Sequence, residues 1–177
     1  KGIGGGIPIG VIGMSDEVAA VLTAHRGGDP GLVDTGDVES LAVGGTLYAN
    51  ALSLSAARAG LAEIFTVDAS ARVDRLGARL QQGLQEHVDR VGLPWTIDRL
   101  GGRIQFRLTP EPPRNGADGF ASVLLPLADA RKHFLLNRGI WDAIATAGPS
   151  ISYATTESDV ELYIESAGEF LDDLTAN

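Results

Sequence analysis

Lys1-Gly-Ile-Gly-Gly-Gly-Ile-Pro-Ile-Gly-Val-Ile-Gly13 opens the chain, with six glycines, one proline and one lysine in thirteen residues. Glycine lets the backbone pass close to a ligand where a Cβ would collide. Lysine carries an amine that condenses with an aldehyde once it is made nucleophilic. A nucleotide-type phosphate loop needs Gly-Lys-Ser/Thr at its end, and no such tripeptide follows here. The dinucleotide fingerprint also fails, because its third glycine falls on Ile7 or Ile9. Two readings stay open: a plain glycine-rich turn, or a close ligand approach beside an amine.

Composition narrows the function classes. The 177 residues suffice for one ordinary domain or a little more, and 44% apolar content is enough to bury a core. A net charge of −9 speaks against nucleic acid, whose phosphates need a basic surface. The apolar runs are shorter than a membrane span, and no charged-then-apolar leader opens the chain, so a cytoplasmic location is expected. With no cysteine, disulfides and thiolate metal sites are excluded, and no metal site is expected.

A second stretch, Gly44-Gly45-Thr46-Leu47-Tyr48-Ala49-Asn50-Ala51, ends a glycine- and acid-rich loop over 26–45 and is expected to open a helix running to about Phe65. Leu47, Ala51, Leu54, Leu61 and Phe65 give that helix an apolar stripe, interrupted at Arg58. Amide hydrogens at a helix N-terminus, a hydroxyl and two glycines suit a dianionic phosphate. The alternative is that Thr46 simply caps its helix.

Lysine, spacer, Ile, three glycines, apolar, Pro, apolar, Gly, followed downstream by Gly-Thr and an Asn-led helix, resembles the class III (fold type I) pyridoxal-phosphate-dependent aminotransferases. The likeness is greatest to the branch near glutamate-1-semialdehyde aminomutase. The resemblance implies that Lys1 holds pyridoxal 5'-phosphate as an internal aldimine. It also implies that Thr46, with Gly45 beside it, binds the cofactor phosphate across a homodimer interface. Ala51 stands where the family usually has proline. The family lysine lies well inside a longer chain, so the sequence is expected to be the C-terminal portion starting at the cofactor lysine. The carboxylate that pairs with the pyridine nitrogen and the groups stacking on the ring are then expected upstream.

The resemblance also sets the expected architecture: α/β plus α+β. The end of a large PLP-binding domain occupies 1–69, and a small C-terminal domain of helices and an antiparallel sheet occupies 70–177. Element order agrees with this reading. Ser15-Asp16-Glu17 leads a short helix over 14–25. Val73, Leu76, Leu80, Leu84, Val88 and Val91 mark an amphipathic helix over 70–91, stopped by Gly92 and Pro94. His87, with no second ligand nearby in pattern, reads as a rim side chain rather than a metal ligand. Residues 95–99 and 103–108 read as strands around Leu100-Gly101-Gly102, with Arg103 and Arg107 on the wet face. Those arginines have the chemistry to grip a carboxylate, but the solvated face of a sheet is the favoured reading. A proline-rich loop over 109–119, a helix over 123–137, short strands over 140–144 and 150–153, and a last helix begun by Thr155-Thr156-Glu157 complete the chain. Lys132 is the second of only two lysines and reads as surface charge.

The expected activity is ping-pong transfer of an amino group from an amine or amino acid to a keto acid. An aminomutase or racemase on the same fold is the alternative, and a non-catalytic interaction domain is the alternative from another class. The resemblance implies that some members hold a substrate carboxylate with a mobile arginine of the small domain; no arginine lies between Gly139 and Thr156, which speaks against that device here and leaves room for an amine or β-amino acid.

Overall fold

The computed structural model describes residues 2–24 and 45–176, and these fall into two compact units, Lys1–Phe65 and Thr66–Asn177. No described helix is long and apolar enough to cross a membrane.

In the first unit, α1 (Asp16–Ala24) starts where Ser15 Oγ accepts from the Val18 amide at 3.4 Å. α2 (Ala51–Ala59) passes into a π-helical turn over Gly60–Ile64. The helix therefore starts four residues later than one capped by Thr46 would. Asn50 is its cap: extended at φ −62 and ψ 141, it accepts from the Ser53 amide with its side chain. Ala51, not proline, takes the first helical position. The buried face also differs from the expected stripe. Ser53 and Ala57 are buried, whereas Leu47, Leu54 and Leu61 are exposed.

The second unit is built on α3 (Val67–Arg90), which begins at a Thr66 cap three residues ahead of the expected start. Gly92, at φ +72, turns the chain at its end, and Leu93 N–H returns to Val88 O at 3.3 Å. β1 (Thr96–Leu100) and β2 (Arg103–Arg107) pair antiparallel, with Ile97 opposite Phe106. The two-residue turn uses Gly101 at φ +57, a conformation side chains resist. Ile97, Ile104 and Phe106 face the core.

Both hairpin edges are covered. The N–H and C=O of Ile97 point away from β2 and are taken by α3: the N–H donates to Gln85 Oε1 at 2.8 Å, and Gln81 Nε2 donates to the C=O at 2.7 Å. Two glutamines thus stand in for a third strand and shield an edge open to foreign pairing. Along β2, Ile104 N–H reaches Pro149 O and Ser150 makes a single bridge with Arg103. Residues 140–144 and 150–153 do not form the expected strands. Asp142 turns its carboxylate into the core, 145–147 forms a 3-10 turn, and Gly148 bends at φ +64.

α4 (Gly116–Ala121), capped by Asn115, lies in and just past the segment whose prolines read as loop. α5 (Leu125–Leu136) buries Ala128, Arg131 and Leu135. α6 (Glu157–Thr175) opens on a reciprocal capping box between Thr156 and Asp159. The Thr156 amide and hydroxyl hold the Asp159 carboxyl below its usual range.

α3 and α6 run parallel, with their contacts in step. Arg79 forks onto Glu161 at 2.8 and 2.6 Å, and Arg90 onto Asp172 at 2.7 and 3.0 Å. Between them Ile164 seats against Gly83 and His87 against Gly168. His87 is therefore a half-buried packing side chain, where the pattern suggested an exposed or rim position. Leu80, Leu84, Leu135 and Leu171 close the core, each contributing about 1.5–3 kcal/mol by burial.

One polar cluster sits inside this core. Arg131 and Asp142 are each 5% exposed and Tyr163 is 6% exposed. Tyr163 donates to Asp142 Oδ2 at 2.9 Å, and Arg131 donates to Ala145 O at 2.8 Å. The Arg131 guanidinium also lies 4.5 Å from the centre of the Phe106 ring. Burial pushes the Tyr163 hydroxyl well above the ordinary phenol range, so it stays protonated.

Candidate cofactor-binding segments

Of the three sequence-derived site residues, Lys1 lies outside the described residues, while Gly45 and Thr46 fall within them. The segment after Lys1 folds as two consecutive turns: Gly5 N–H donates to Gly2 O at 2.9 Å, and Ile7 N–H to Gly4 O at 3.0 Å. Gly5 and Gly6 take φ +58 and +99, where glycine is favoured. Gly4 is buried, and a Cβ there would strike the Ile7 carbonyl and the Ile9 side chain. A Cβ on Gly60 would come within 2.9 Å of Ile3 O, so the segment lies close against the end of α2.

Gly45, at φ +146, starts the turn over 46–49, closed by Tyr48 N–H to Gly45 O at 2.9 Å. Thr46 is exposed and does not cap α2. Among the described residues, its hydroxyl and the amides of Thr46 and Leu47 have no hydrogen-bond partner. Among the described residues a Cβ on Gly45 would meet nothing within 4 Å, so the hydroxyl and two amides form an edge of donors of the kind that suits an anion. The donors come from a turn, not from the helix N-terminus that the sequence suggested.

A short relay joins the two segments. Asn50 Nδ2 donates to Leu47 O at 3.1 Å and to Ser53 Oγ at 2.9 Å, and Ser53 Oγ donates to Pro8 O at 2.7 Å. Asn50 thus fixes the Thr46 turn, caps α2 and orients the serine that holds the glycine segment. Sequence reading missed Ser53; its signal was the Asn-x-x-Ser spacing at a helix start. Ala49 adds strain, as a non-glycine residue at φ +52.

Lys132, the other lysine, is placed differently: its Nζ reaches Ala143 O at 3.4 Å and lies 4.7 Å from the centre of the Trp141 ring. Among the described residues no cluster of three or more His, Asp or Glu side chains is arranged to hold a metal ion.

No protein-family profile matches the chain. Individual proteins do. Glutamate-1-semialdehyde 2,1-aminomutase 2 of Brevibacillus brevis is 27% identical over 94% of the chain and 36% of its own length. A Pseudomonas aeruginosa glutamate-1-semialdehyde aminomutase, solved in complex with PMP, superposes with a TM-score of 0.70 and 33% identity, covering 74% of this chain and 29% of that one. The β-phenylalanine aminotransferase of Variovorax paradoxus superposes with a TM-score of 0.80 and 25% identity over 98% of this chain and 37% of its own. The chain spans little more than a third of the length of the relatives it matches. The similarity therefore runs along nearly the whole chain: its homologues are pyridoxal-phosphate-dependent aminomutases and aminotransferases, and its structural neighbours are class III, fold type I transaminases.

Proposed function

We propose that the chain supplies one half of the active site of a pyridoxal 5'-phosphate-dependent aminotransferase working as a homodimer. In this reading 1–69 ends the large cofactor-binding domain and 70–177 is the small C-terminal domain. Lys1 carries the cofactor through its amine, and Gly45 and Thr46 receive the phosphate of the partner subunit's cofactor. The observation that carries the reading is the Thr46 turn: a hydroxyl and two amides without a hydrogen-bond partner among the described residues, held by Asn50 and Ser53 to the glycine-rich segment. The relative solved with PMP is consistent with this cofactor.

Bound, the cofactor supplies an electron sink for the carbon that bears the substrate amino group. The chain's own residues do the rest. The Thr46 hydroxyl and the amides at 46 and 47 anchor the anionic end, and the glycines after Lys1 keep the approach open. With the cofactor in place, the Lys1 Nζ would hold and move the proton taken from the substrate carbon that bears the amino group. A second carbonyl substrate reverses these steps. Rearrangement within one molecule, as in the aminomutase relatives, needs the same residues and is the second reading.

The test is to load the purified protein with pyridoxal 5'-phosphate, reduce it with borohydride and map the labelled peptide. Label on Lys1, absent in Lys1→Ala, is the expected result. Label confined to Lys132, or none, overturns it. Amino transfer from an amine or β-amino acid to a keto acid then separates transamination from rearrangement.

A further inference from the structure

A cleft of about 720 Å³ lies between the face of the β1–β2 hairpin turned away from α3 and the segment that joins α4 to α5. Its size falls within the range of small-molecule sites. The strand register sets its floor: Leu100 opposite Arg103 and Asp98 opposite Gln105, with Arg107 beyond. Most polar groups there are already engaged. Gln105 Nε2 donates to Thr146 O at 2.8 Å, and Arg107 is shared between Asp98 Oδ2 at 3.4 Å and Gly119 O at 3.1 Å. Arg103 is different. It is exposed, lines the cleft, and among the described residues its guanidinium has no acceptor. The opposite wall is apolar and open: Phe120 is 84% exposed and Leu124 is 54% exposed.

We propose that this cleft binds a small organic monoanion, a single carboxylate on an apolar body. The Arg103 fork takes the carboxylate in the two-bond geometry that guanidinium favours. The apolar body covers Phe120 and Leu124, the surfaces that gain most from leaving water. Two features select against more highly charged ligands. The other charges of the lining are paired, Arg107 with Asp98 and Arg99 with Asp74, so a second anionic group meets no uncommitted cation among the described residues, and the whole chain carries −9. A bare inorganic anion would leave the apolar wall unused. The proposal does not rest on the transamination reading, because it concerns binding to the second unit and is measured without cofactor.

The test is calorimetric titration of the full chain with 3-phenylpropionate, its neutral amide and acetate, together with amide-shift mapping by NMR. Saturable binding of 3-phenylpropionate alone is expected, with shifts at 98–107 and 119–125. Arg103→Gln and Phe120→Ala should each weaken binding by about tenfold, the loss of one charge-assisted contact or one apolar wall. Both side chains are exposed, so the variants should melt as the parent does by circular dichroism. Failure of 3-phenylpropionate to saturate, equal binding of the amide, undiminished binding in Arg103→Gln, or shifts confined to other residues would each overturn the proposal.

Discussion

The Ser53 hydroxyl donates to the Pro8 carbonyl at 2.7 Å, a side-chain to backbone bond spanning 45 positions of sequence. It ties the glycine-rich segment to the first turn of α2 through a nearly buried serine. Ser53→Ala removes this bond and leaves Pro8 O and Asn50 Nδ2 each short of a partner. Urea unfolding followed by NMR signals of residues 2–24 and 45–65 should show a loss of about 1–2 kcal/mol. Retention of pyridoxal 5'-phosphate on gel filtration should fall in parallel.

Thr46 and Asn50 divide the work that the sequence left between them. Asn50→Ala removes the α2 cap and should cost about 1 kcal/mol in the same unfolding measurement. Thr46→Val removes an exposed hydroxyl with no partner among the described residues, so stability should move by less than about 0.5 kcal/mol. Cofactor affinity should nevertheless drop in Thr46→Val, read as a weaker saturation curve with pyridoxal 5'-phosphate. A stability loss equal to that of Asn50→Ala would make Thr46 a cap after all.

Tyr163→Phe takes the donor away from a carboxylate that is buried beside Arg131. The loss should be about 1–3 kcal/mol at neutral pH by denaturant titration. The alkaline limb supplies a second signature. A phenol whose pKa rises on folding stabilises the fold while the unfolded chain keeps its proton. That stabilisation is lost as pH climbs above the ordinary value near 10. The parent should therefore lose stability above pH 10 more steeply than Tyr163→Phe.

Gly77 sits in the middle of α3, where alanine would ordinarily gain about 1 kcal/mol of helix propensity. A Cβ there would come within 2.5 Å of the Gly101 carbonyl, a backbone atom of the hairpin turn with little room to yield. Gly77→Ala should thus be destabilising by about 1–3 kcal/mol. A thermal melt equal to or above the parent's would show that the turn shifts freely.

How much of this was written in the sequence depends on how local its cause is. The period of α3, the cap of α6 and the alternation of β2 arise from neighbours within a few residues, and their readings hold. The failures come from partners distant in sequence. Arg131 sits on the apolar side of α5 because Asp142 and Tyr163 meet it in the core, and nothing in 123–137 announces them. Gln81 lies on the polar side of the α3 pattern, yet together with Gln85 it finishes the edge of β1. Residues 140–144 and 150–153 have strand composition, but Asp142 points inward and Gly148 bends the backbone before a ladder extends. At the candidate site, the Gly-Thr pair proposed to receive phosphate was visible in the sequence. The relay through Ser53 was not, because it needs Pro8 and α2 in contact.

The meshing of α3 with α6 fixes a spacing as well as a contact. Ile164 fills the hollow at Gly83 and His87 fills the hollow at Gly168, each pair one helical turn beyond the last. Inserting one residue between Gly83 and His87 would rotate everything beyond it by about 100°. The imidazole would then leave its socket, and Arg90 would swing off Asp172. The two helices behave like a rack and its gear, tolerant of a change in what their teeth are made of but not in how many there are.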